Sequence, residues 1–95
     1  MNVFSIEKNP REVAKELAIK FKKLRNEAKL TRKELAERSG VSESSIKRFE
    51  TTGLISLISL LKISQILKKL EDFQTLFKND DANKIKELFS DKMNL

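Results

Sequence analysis

The sequence predicts an all-α fold: a compact bundle of five to six helices containing a helix-turn-helix. Three observations carry that expectation. The 95-residue chain has only two Gly and one Pro, so little in it interrupts a helix. Its 39% of hydrophobic residues is too many for a disordered chain, and they recur at helical spacing. Polar capping residues stand just ahead of the apolar stretches. A chain this short holds one small domain.

Asn9-Pro10 reads as an N-cap followed by Pro in the first helical turn. Behind it Val13, Leu17, Phe21, Leu24 and Ala28 form one apolar stripe, so the first helix is placed at about 10–28. Thr31 and Glu34 make a capping box that opens a short second helix, about 31–39, with Leu35 and Ala36 inward. Gly40 suits the left-handed residue that ends it, and Val41 is placed to plug the space between two helices. Ser42 caps a third helix, about 42–50. Ile46 and Phe49 face one way there, and Glu43, Ser44, Lys47 and Arg48 face the other. Thr51-Thr52-Gly53 ends it. Ser56 caps a fourth helix, about 56–69, and a fifth near 71–78 carries Phe73, Leu76 and Phe77. After a polar turn at 79–83, a last amphipathic stretch carries Ile85, Leu88 and Phe89.

Absences narrow the function. Without Cys there is no disulfide, zinc finger or thiol chemistry, and without His no imidazole base or His metal site. No convergent catalytic set is visible, so the chain is not expected to be an enzyme, to hold a metal or to need a cofactor. Adjacent Glu71 and Asp72 diverge on a helix, and Asp80-Asp81 lacks the spacing of a calcium loop. No apolar run reaches the length of a membrane span, and MNVFSIEKNP lacks the apolar core of a signal peptide. A cytoplasmic protein with no membrane contact is expected.

The net charge of +6 is uneven. Residues 1–50 carry thirteen Lys or Arg against eight acids, whereas residues 51–95 carry seven against six. The densest stretch, 20–33, holds Lys20, Lys22, Lys23, Arg25, Lys29, Arg32 and Lys33 against Glu27 alone. Such a field suits a polyanion such as DNA. Two short capped helices joined through a glycine and flanked by longer ones are the pattern of a helix-turn-helix.

The segment LTRKELAERSGVSESSIKRFETTG, 30–53, resembles the Cro/CI-type (Xre) helix-turn-helix family. Its markers are Leu30-Thr31, Leu35-Ala36, Gly40-Val41-Ser42 and Ile46 to Phe49-Glu50, and SLISLLKISQIL, 56–67, resembles the family's fourth helix. The likeness covers about 15–70. It implies a lambda-repressor-like fold with the third helix in the major groove of double-stranded DNA. Glu43, Ser44, Lys47 and Arg48 then face base edges: Lys47 or Arg48 suits guanine O6 and N7, and Glu43 suits cytosine N4. Backbone contacts are expected from Arg32, Ser42, Ser45, Lys22, Lys23, Lys29, Thr51 and Thr52. The sequence departs from the family at Arg32, where a Gln often contacts phosphate and braces the recognition helix.

Proteins with one such motif usually pair across two half-sites. Leu57, Leu60, Leu61, Ser64 and Leu67 match the family's inward positions, while Ile58 and Ile66 are extra apolar residues. A homodimer or partner interface is therefore expected at Ile58, Ile66, Phe73, Phe77, Leu88 and Phe89. Residues 1–78 are expected to form the DNA-binding domain and 79–95 a C-terminal helical tail in that contact. RFETTG, SLLKI and DFQTLF also resemble the HipB-like branch, which implies an antitoxin that represses its own operon and binds a HipA-like toxin kinase. The alternatives are a protein-binding adaptor and a phage-type regulator on the same fold.

Overall fold

A computed structural model describes residues 8–78, and all regular structure among them is helical. The described residues form five helices: α1 (Pro10–Glu27), α2 (Arg32–Ser39), α3 (Glu43–Thr52), α4 (Leu57–Ile66) and α5 (Leu70–Gln74). The last apolar stretch, with Leu88 and Phe89, lies outside the described residues.

Side chains set the helix starts. The Asn9 side chain accepts the Glu12 amide at 2.8 Å, and Ser42 and Ser56 accept the amides of Ser45 and Ser59. At α2 the box closes in both directions: Glu34 N–H donates to the Thr31 hydroxyl and Thr31 N–H to the Glu34 carboxylate. Each cap satisfies an amide that the helix leaves without a carbonyl.

Packing runs in an open series. α1 packs on α3, α3 on α2, α2 on α4 and α4 on α5. Leu35, Ile46 and Ile63 are fully enclosed at the centre, with Ala18, Phe21, Val41 and Phe49 around them. Phe21 and Phe49 meet edge to face at 5.5 Å, which joins α1 to α3. Cutting any of the three central side chains to Ala costs about 2–5 kcal/mol.

Several expectations need correction. The buried face of α1 is centred on Ala18, Phe21 and Arg25, so Val13, Leu17 and Ala28 from the expected stripe are exposed. α3 runs two residues further than expected, to Thr52. α4 stops at Ile66, not near 69, because Lys68 turns left-handed (φ 60°) and the Lys69 amide closes onto the Ser64 carbonyl. α5 occupies Leu70–Gln74, and Phe77 beyond it has φ 65°. Leu57, expected inward, is 67% exposed at the first turn of α4. Ile66, expected at an interface, is half-buried against the core.

Candidate nucleic-acid interface

The turn between α2 and α3 is built residue by residue. Gly40 takes φ 80° and returns its amide to the Ala36 carbonyl. Nothing lies near where its Cβ would be, so the backbone angle alone calls for glycine. Val41 is buried between the helices, and its amide donates to the Ser39 hydroxyl. Ser42 then opens α3.

The far end of α3 is fixed by a second glycine. Gly53 has φ 82°, and a Cβ there would lie 2.9 Å from the Ala14 backbone carbon. α3 therefore ends against α1 through a backbone approach that only glycine allows.

Between these ends lies a buried ion cluster. The Glu50 side chain is wholly enclosed. Arg25 of α1 donates to both its oxygens, Nε at 2.7 Å and Nη2 at 2.9 Å, and its Nη1 donates to the Leu30 carbonyl at 2.8 Å. Arg32, in the first turn of α2, donates Nε to Glu50 Oε1 at 2.8 Å. One carboxylate on α3 is thereby tied to the two helices before it. Burial presses the Glu50 carboxyl upward, but the hydrogen bonds and charges of Arg25 and Arg32 outweigh it and hold the group below the usual carboxylate range.

This cluster revises two sequence readings. Arg25, counted in the basic stretch, is buried and paired. Arg32, placed where the family often has Gln, braces α3, and its side chain stays about a quarter exposed.

The outer face of α3 is polar and open: Glu43, Ser44, Lys47 and Arg48 are all exposed, opposite Ile46, Phe49 and Glu50. Of the positions expected on the DNA backbone, Ser42, Lys22, Lys23 and Lys29 are exposed and Ser45 is half-buried. The Ser42 hydroxyl accepts the Ser45 amide and donates to the Ser45 hydroxyl at 2.7 Å. Thr51 and Thr52 are placed differently. Their hydroxyls donate to the carbonyls of Lys47, at 2.9 Å, and Arg48, at 2.6 Å. Thr52 Oγ1 also accepts the Leu54 amide. So arranged, both threonines finish α3, and both remain exposed.

Of the residues expected at an interface, Ile58 is 60% and Phe77 94% exposed, while Phe73 is half-buried. No group of acidic, Cys or His side chains able to hold a metal occurs among the described residues, and no helix there is long and apolar enough to cross a membrane.

No curated protein and no solved structure matches the chain. A family model described as Helix-turn-helix matches residues 21–73, from the middle of α1 into α5. That span is more than half of the 95 residues and contains the glycine turn, the ion cluster and the open face of α3. The chain therefore belongs to the Xre-type helix-turn-helix family of DNA-binding regulators.

Proposed function

We propose that the protein is a sequence-specific repressor that binds double-stranded DNA as a homodimer and regulates its own operon. The observation that carries this reading is α3 itself. Four exposed polar side chains, Glu43, Ser44, Lys47 and Arg48, stand on one face, while the opposite face is locked by Ile46, Phe49 and the paired Glu50. A rigid helix with an open polar face suits base readout, because the side chains reach base edges without first ordering the backbone. Arg48 and Lys47 donate to guanine, Glu43 accepts from cytosine, and Ser44 takes either role. Lys22, Lys23, Lys29 and the free edge of Arg32 serve the phosphates.

Pairing is supported by the apolar surface at Leu57, Ile58 and Phe77, since a monomer rarely leaves such a patch bare. The resemblance of RFETTG, SLLKI and DFQTLF to the HipB-like branch extends the reading to an antitoxin whose partner is a HipA-like kinase. Co-purification with the product of an adjacent HipA-like gene supports that extension, and its failure removes the extension while leaving the repressor reading intact.

Nuclease footprinting upstream of the protein's own gene tests the proposal. Two protected half-sites about one helical turn apart are expected. Protection of a single site, or none at a concentration that coats unrelated DNA, overturns it.

A further inference from the structure

The open packing series leaves its two ends unjoined. Among the described helices α1 packs on α3 alone and α5 on α4 alone, and a groove lies between α1 and α5. Leu17 and Leu24 line one wall, Phe73 and Leu76 the other, and Leu60 of α4 lines the groove as well. Leu17 and Leu76 are each about half exposed, at 47% and 52%. Core-sized side chains from three elements thus meet with no described helix over them.

We propose that the chain's own residues 79–95 seat in this groove, with Ile85, Leu88 and Phe89 against Leu17, Leu24 and Phe73. Three observations select this occupant. The described chain ends at Lys78, two residues after Leu76 on the groove wall, so the segment begins beside its seat. The seven residues from Lys78 to Ile85 reach about 23 Å when extended. Ile85, Leu88 and Phe89 fall at the i, i+3, i+4 spacing that fills a groove between helices. A short tether also holds the segment at an effective concentration in the millimolar range, far above that of a second chain at micromolar protein.

Docked in this way, the segment joins the first and last helices and covers α1 along Leu17, Phe21 and Leu24. It also assigns Leu88 and Phe89 to the domain's own surface, leaving Leu57, Ile58 and Phe77 for the dimer. The inference does not depend on DNA binding.

The absence of cysteine makes the test clean. In the full chain, Lys20→Cys is combined with Leu88→Cys, and Ile19→Cys with Leu88→Cys. Lys20 is exposed on the groove rim, whereas Ile19 is its exposed neighbour on another face of α1. The two pairs have almost the same tether, so a freely moving tail closes both equally. Mild oxidation followed by non-reducing electrophoresis and mass spectrometry reads the outcome. The account expects an intrachain disulfide in the Lys20 pair, independent of protein concentration, and little in the Ile19 pair. A disulfide between chains that grows with concentration places a second copy in the groove and overturns the proposal. Equal closure of both pairs, or closure of neither, overturns it as well. A Leu17→Cys/Leu88→Cys pair repeats the measurement from within the groove.

Discussion

Glu50 holds two arginines of unequal standing. Arg25 is buried and uses three donors, whereas Arg32 uses one and reaches solvent. Arg25→Ala is therefore expected to lower the thermal midpoint well below that of Arg32→Ala, because it strips the bidentate partner from a buried carboxylate and the donor from the Leu30 carbonyl. A loss of about 3 kcal/mol is expected for Arg25→Ala and for Glu50→Gln, each of which leaves a buried charge short of its partner. Equal midpoints for the two arginine variants would contradict this ranking. The pH dependence follows from the lowered Glu50 pKa. The stabilisation is complete above the unfolded value, about pH 4.3, and is lost as pH falls through the lower folded value. Glu50→Gln lacks that part of the acid sensitivity, which urea titrations between pH 3 and 7 read directly. In DNA binding, Arg32→Ala should flatten the slope of log K against log salt by about 0.9 for one phosphate lost. Arg48→Ala should cost about 1–3 kcal/mol on the preferred site and relax one base position. A uniform loss across sequences would make Arg48 a backbone contact. The open face of α3 was legible in the sequence because Ile46 and Phe49 fix the phase of the helix. The ion cluster was not. Its trace is the run Ala14, Ala18, Phe21, Arg25 at spacings of four, three and four, which places an arginine on the buried face. A basic run hides that signal, since charge counting treats every cation alike.

At the scale of elements, the turn chemistry was the most readable part. Thr31, Glu34, Gly40, Ser42 and Ser56 all serve the ends they suggest, because caps and left-handed turns depend on local backbone geometry. The end of α4 was not readable, since it turns on a left-handed Lys68, a residue that rarely adopts that conformation. The face of α1 was misplaced because the stripe follows its larger apolar side chains, Val13 and Leu17, yet the close approach of α3 selects the small side at Ala14 and Ala18. Gly53 marks that approach and gives a second test. Gly40→Ala meets only the strain of a left-handed alanine, about 1 kcal/mol. Gly53→Ala adds a collision with the Ala14 backbone, so its midpoint in chemical denaturation should fall clearly further. Similar midpoints for the two would mean that α1 and α3 separate without cost.

Across the whole molecule, charge and apolar surface divide the labour. The basic excess lies in residues 1–50, which contain α1, α2 and most of α3, whereas α4 exposes Leu57 and Ile58 and the segment after α5 exposes Leu76 and Phe77. This division was visible in composition before any contact was known, but which leucines end up bare depends on where helices meet. Sedimentation at micromolar concentration is expected to give a dimer, and Ile58→Glu a monomer; a wild-type monomer would remove the pairing reading. The central claim is sequence-specific recognition through α3. Fluorescence anisotropy with the duplex upstream of the protein's own gene, against a scrambled duplex at two salt concentrations, tests it most directly. The account predicts a preference of about a thousandfold or more that survives near-physiological salt. Weak binding that ignores sequence and vanishes as salt rises would contradict it, leaving only the attraction of a basic surface for a polyanion.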